Sequence, residues 1–220
     1  MSRRPPQPQP PHAIEQLDAL APAALAEETT YAEVELTDLD LADQRARGVA
    51  LESVVLRRVD LSGSRLEGLR LLDATLTGCN LANLQARGAE LNRVRVESSR
   101  LTGTVLLESQ LRDVTFRGCR IDLASFSHCR LNRVTFDDCI LHQSDFLGAE
   151  LDTVRFEDCE LVEADLRNAR LRRCELRRTS LDGLQGVDRL RGIAMPWAEI
   201  VERADLWASA LGIEVLDEEP

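Results

Sequence analysis

An apolar residue recurs at every fifth position, without a break, from Leu36 to Leu181. The thirty positions hold 21 Leu, 5 Phe, 2 Ala, 1 Val and 1 Ile, and none is polar. A helix repeats its apolar face every 3.6 residues and a half-buried strand every 2, so neither accommodates a period of five. The chain must turn a corner at each repeat. The simplest closed path has four sides per coil, with coils stacked at the interstrand spacing of about 4.8 Å so that backbone N–H and C=O groups pair between coils. Thirty pentads then make about seven and a half coils, a prism roughly 36 Å long.

Other features agree with that path. The residue two before each central apolar one is mostly small: 8 Val, 6 Ala, 6 Cys, 4 Ser, 3 Leu, 2 Thr and 1 Gln. Each side therefore turns a large and a small side chain inward. No proline falls between residues 31 and 185, as a continuous ladder of donors requires. Nine of the twelve glycines lie two after a central residue, where a corner favours unusual dihedrals. All five Phe are central and ten residues apart, from Phe116 to Phe156. In a twenty-residue coil that spacing predicts Phe116, Phe136 and Phe156 in one column and Phe126 and Phe146 in the facing one.

Units such as Cys79-Asn80-Leu81-Ala82-Asn83, Ala164-Asp165-Leu166-Arg167-Asn168 and Ser144-Asp145-Phe146-Leu147-Gly148 resemble the pentapeptide-repeat family, with its consensus A-(D/N)-L-x-x. The resemblance implies an all-β solenoid, a right-handed quadrilateral β-helix, over residues 31–185. Gln44 in a small inward slot and Ala46 and Ala86 in central slots depart from the consensus and suggest a looser first coil.

The ends read differently. Residues 1–12 hold five of the eight prolines and predict a disordered leader. Residues 13–30 mix aliphatic and acidic residues at helical spacing, interrupted at Pro22, and predict a short N-terminal helical cap. Beyond Gly186 the period is lost, and residues 186–220 predict a C-terminal cap and an acidic tail. Within it Trp197, Ile200, Val201, Ala204, Trp207 and Leu211 form one stripe of an amphipathic helix, the candidate cap or dimer contact.

Chemistry is harder to find. All six cysteines occupy small inward slots, which favours packing over redox or metal chemistry. Cys139 and His142 have a zinc-like spacing, but the register points one inward and the other outward. His128 follows Ser127, and His142 lies near Ser144 and Asp145, but Ser144 fills an inward slot and the two histidines project from different sides, so no triad follows. The glycines are corners and form no phosphate-binding loop. No catalytic residue, cofactor or metal is therefore expected, and the chain reads as a non-enzyme. No apolar run spans a membrane and the leader lacks a secretory signal, which predicts a cytoplasmic protein.

Charge offers the remaining clue. The net charge is -11 and every basic residue is Arg, which argues against direct nucleic-acid binding. Asp137, Asp138, Glu157, Asp158, Glu160 and Glu163 gather near one edge and are the candidate partner-binding acids, whereas the side carrying Arg130, Arg133, Arg170, Arg172 and Arg173 is basic. Within the family, Qnr-type and mycobacterial fluoroquinolone-resistance proteins bind DNA gyrase by resembling duplex DNA, so the resemblance implies a topoisomerase partner, with a homodimer through the C-terminal helix. A general protein-interaction scaffold with another partner is the alternative. A continuous acidic strip favours the first reading, and a mosaic of paired charges the second.

Overall fold

The computed structural model describes residues 6–12 and 16–214, without the side chain of Ser209. Its central part is a parallel β-solenoid in which every pairing joins residues twenty apart. Leu51 faces Leu71, then Leu91, Leu111, Leu131, Leu151 and Leu171, and Leu56 faces Leu76 in the adjoining column. The sides are not equivalent. Eight-residue strands at Ala50–Arg57, Arg70–Thr77, Glu90–Glu97, Gln110–Arg117, Arg130–Asp137 and Glu150–Glu157 each wrap round one corner. The other two sides meet their neighbours mainly through single bridges, such as Asp60 with Asn80 and Gln85 with Val105, apart from the short strands Arg45–Arg47 and Arg65–Glu67.

The corner residue, two after each central one, has positive φ in every repeat from Glu33 to Gly183. Glycine marks nine of these corners, but Asp, Asn, Arg, Glu and even the β-branched Thr153 (φ 64°) fill others. A non-glycine there costs roughly 1–2 kcal/mol, which the two flanking ladders outweigh. The corner is thus imposed by coil geometry and only assisted by glycine.

Both inward columns form as the spacing requires. Phe116 and Phe136 stack at 5.0 Å, Phe136 and Phe156 at 4.9 Å, and Phe126 and Phe146 at 4.9 Å, while rings from facing columns meet edge to face. In the small column, Cys, Ser and Thr share a role. Cys119, Cys139 and Cys159 donate to the carbonyls of Val96, Phe116 and Phe136 at 3.4 to 3.5 Å, and Thr104 donates to Leu81 at 2.7 Å. Each acceptor lies 23 residues earlier, in the preceding coil, so a small donor in this slot satisfies a buried carbonyl.

Three expectations for the ends are corrected. Residues 16–30 contain no helix. Asp18–Ala19 pairs in parallel with Val34–Glu35 and Thr30–Ala32 with Ala50–Glu52, because the edge of the first coil needs extended backbone to satisfy its open donors and acceptors. Buried Leu25 covers the core there. Residues 6–12 of the leader, expected to be unfolded, lie against the coil with Gln9 N–H donating to Asp113 Oδ1 and His12 N–H to Asp73 Oδ1, both at 3.0 Å. Residues 1–5 and 13–15 lie outside the described residues.

The C-terminal stripe is also divided. After a short 3-10 turn at Val187–Leu190, two helices follow, α1 (Trp197–Glu202) and α2 (Ala204–Leu211), with a break at Arg203. Arg203 Nη2 donates to Thr179 O at 2.8 Å, drawing the chain onto the last coil, and Trp207 Nε1 donates to Ile200 O at 2.9 Å. Leu206 and Trp207 pack on the core, whereas Trp197, Val201 and Leu211 are exposed. The break rotates α2, so Ala204 turns outward and Leu206 takes its place.

Candidate partner-binding surfaces

The acidic edge forms where successive coils place corner residues above one another. Asp138 and Asp158 occupy one corner column, and Glu160 and Glu163 lie on the adjoining side; all four are exposed. A groove of about 300 Å³ lies beside three of them, lined by Arg120, Asp138, Asp158 and Glu160 among others. Several of the predicted acids are neutralised within the chain. Arg117 Nε reaches Asp137 at 2.9 Å, and Arg178 contacts both Glu157 at 3.0 Å and Asp158 at 2.5 Å. The Arg178 hydrogen bonds hold the Asp158 carboxyl below its ordinary value. Glu160 meets His142 Nε2 at 2.6 Å, and Glu163 accepts from Gln143 at 2.7 Å. Asp138 alone of the six makes no such contact among the described residues. The edge is a compact patch on the later coils, and the coil surface as a whole is a mosaic of ion pairs.

The basic side is similarly interleaved with acids. Arg130 and Arg170 flank Glu150 at 3.6 and 3.4 Å, and Arg173 grips Asp152 at 2.6 Å. Arg133 does not project freely: it forms a two-pronged pair with Asp113, which is only 2% exposed. Arg93 holds Asp73 in the same way. Glu175, also 2% exposed, sits between Arg155, 3.1 Å away, and Arg177. These buried pairs are not legible in the sequence, because a corner Asp and an outward Arg look like solvated residues until something covers them.

The cysteines donate inward and burial pushes the thiols of Cys79, Cys129 and Cys174 up, that of Cys129 to about 12. Such thiols are poor nucleophiles and poor ligands at neutral pH. Cys139 and His142 diverge, the first donating to Phe116 O at 3.5 Å and the second turning to Glu160. Ser127 and Asp145 do meet by a hydrogen bond, but His142 is engaged elsewhere and Ser144 donates to Leu141 O at 2.8 Å. Among the described residues no three His, Cys, Asp or Glu side chains gather as a metal site, and no helix is long and apolar enough to cross a membrane.

The predicted cap residues separate into two groups. Trp207 and Ile200 are partly buried, while Trp197 is 76% exposed and Leu211 69%. Val201 on α1 and Ile213, just past the end of α2, are exposed apolar residues as well.

A family model described as a pentapeptide repeat region matches residues 118–185, and one described as pentapeptide repeats (8 copies) matches residues 55–93 and 89–127. No curated protein matches the sequence. Among solved structures, a trypsin-treated form of QnrB1, a plasmid-mediated fluoroquinolone resistance protein, is 18% identical over 91% of this chain and 98% of its own, with a TM-score of 0.47. HetL, a pentapeptide repeat protein involved in heterocyst differentiation regulation from the cyanobacterium Nostoc sp. strain PCC 7120, is 20% identical over 78% and 91%, with a TM-score of 0.33.

Proposed function

The chain belongs to the pentapeptide-repeat family, and from that premise we propose that it is a non-catalytic protein-binding rod whose acidic patch engages a cationic surface on a cytoplasmic partner. The observation that carries this reading is the cluster of exposed carboxylates at Asp138, Asp158, Glu160 and Glu163, held in fixed register by stacked coils. Carboxylates fixed in this way compete for cationic side chains that otherwise hold phosphates. The DNA-binding surface of a type II topoisomerase is such a site, and DNA gyrase is the first partner to test. Exposed Trp197, Val201 and Leu211 would supply the contact for a homodimer.

The test is a gyrase supercoiling assay with the full chain titrated in at two salt concentrations, with and without a fluoroquinolone. Salt-sensitive inhibition or protection, lost in a Glu160→Lys, Glu163→Lys variant, supports the reading. Unchanged supercoiling at micromolar protein would overturn the gyrase assignment. A scaffold for another partner is the second reading, favoured by the intramolecular pairing of Asp137, Glu157 and Asp158 with arginines, which leaves a local patch instead of a continuous strip.

A further inference from the structure

The corner column Asp73, Arg93, Asp113 and Arg133 is unlike the others, because a proline-rich segment covers it. Four corners in succession carry alternating charge, and each Asp is clamped by the Arg one coil on: Arg93 Nε and Nη2 donate to Asp73 at 2.7 and 2.7 Å, and Arg133 donates to Asp113 at 2.6 and 2.5 Å. Each clamp leaves one further lone pair on Oδ1. Gln9 N–H takes that of Asp113 and His12 N–H that of Asp73. Both Asp side chains are thereby buried, at 2% and 6% exposed. His12 Nδ1 adds a contact to Asp73 Oδ2 at 3.4 Å.

The spacing of these contacts identifies the ligand geometry. Asp73 and Asp113 are forty residues apart, two coils, or about 9.6 Å at the interstrand spacing. Gln9 and His12 are three residues apart, and three residues of polyproline II rise about 9.3 Å. That helix has three residues per turn, so amides at positions 9 and 12 leave from the same side, whereas a strand would send them to opposite sides. Pro8, Pro10 and Pro11 fix φ in the polyproline II range and have no N–H to orphan. The segment thus offers donors at the two places where the face offers acceptors. A cavity of about 200 Å³ remains beside it, bounded by Pro11, His12, Leu17, Val55, Asp73 and Arg95.

We propose that the Asp73–Asp113 face is a recognition surface for proline-rich segments in the polyproline II conformation, with residues 6–12 as its resident ligand and a proline-rich peptide carrying N–H groups three residues apart as its ligand in trans. The surface recognises backbone donors at a fixed spacing, so its specificity lies in which positions are not proline. The tethered leader competes from a high effective concentration and keeps the surface closed. A partner peptide opens it by exchange.

The test keeps the coil untouched. In the full chain, Gln9→Pro with His12→Pro deletes both donors while preserving the polyproline II conformation. A fluorescently labelled peptide of the sequence of residues 5–12 should bind this variant at least tenfold more tightly than it binds the wild-type chain, by anisotropy titration. Equal binding to both, or binding to neither at millimolar peptide, would overturn the proposal. A second measurement uses the wild-type chain alone: the amide protons of Gln9 and His12 should exchange at least tenfold more slowly than that of Gln7. Equal rates for all three would show that the face does not hold the leader.

Discussion

Asp113 and Arg133, one coil apart, form a two-pronged ion pair at 2.6 and 2.5 Å, and the amide of Gln9 closes over the same Asp113 oxygen at 3.0 Å. The pair ties three parts of the sequence together: two corners and the leader. Removing the carboxylate leaves a largely covered guanidinium without its partner. Asp113→Ala should therefore cost about 2–3 kcal/mol and lower the melting temperature in thermal circular dichroism. Asp38→Ala, at an exposed pair with Arg58, should lower it much less, because solvent screens that pair. Equal losses would contradict the distinction between the covered and the open corner.

Acid should release the leader. The Asp73 carboxyl is held below its ordinary value chiefly by the Arg93 hydrogen bond; at Asp113 burial opposes, and the hydrogen bonds from Arg133 and Gln9 outweigh it. A depressed carboxylate stabilises the folded state above the unfolded pKa, near 3.9, and that contribution is lost as pH falls through the folded value. The Gln9 amide resonance should be constant from neutral pH to about pH 5 and shift toward its unfolded position only below about pH 4. A midpoint near pH 6 would point to a different titrating group.

The phenylalanine stack should be the most sensitive part of the core. Phe136 is fully buried, between Phe116 and Phe156 in its own column and facing Phe126 and Phe146. Phe136→Ala should cost about 3–5 kcal/mol, and Phe136→Leu much less, since Leu fills the same column at Leu36, Leu56, Leu76 and Leu176. Urea unfolding would separate the two. Similar midpoints would mean that the coils slide to close the cavity.

Two glycines make a paired test of exit geometry. A Cβ at Gly186 (φ 78°) would lie 2.7 Å from the backbone of Leu166 and Arg167, whereas at Gly68 (φ 66°) it would meet nothing within 4 Å. Gly68→Ala carries only the left-handed penalty of about 1–2 kcal/mol. Gly186→Ala adds a backbone clash and should lower the melting temperature several degrees further, with the cap dislodged.

The exposed end of the rod predicts an oligomeric response. Trp197, at 76% exposure, contributes little to the folded monomer, while Trp207 donates to Ile200 and packs on the core. Trp197→Glu should leave melting unchanged and reduce any dimer seen by analytical ultracentrifugation. Trp207→Glu should instead destabilise the cap. A wild-type chain that sediments as a monomer at high micromolar concentration would remove the dimer proposal.

The core was legible because it repeats. Thirty central positions and their small neighbours identify the coil, its twenty-residue turn and the phenylalanine columns, since each inward slot sees the same surroundings in every coil. The ends were not. The helical spacing in residues 13–30 is a local preference, and the open edge of the first coil overrides it over residues 16–30 by pairing with extended backbone. The C-terminal stripe reads as one helix, yet the hydrogen bond of Arg203 to Thr179 breaks it. Of the predicted acidic edge, the six positions were visible in the sequence, but not that Arg117 and Arg178 come to three of them from neighbouring coils.

What the sequence determined by itself is the solenoid, because burial of an unbroken apolar column at period five admits few paths and every repeat enforces the same one. What only the tertiary structure decided is the chemistry of the surface. Twenty residues of separation become one coil spacing, so Asp113 meets Arg133, Asp158 meets Arg178, and a proline-rich leader finds two acceptors matched to its own turn. Those outcomes depend on distances across coils, and a linear pattern of charges does not contain them.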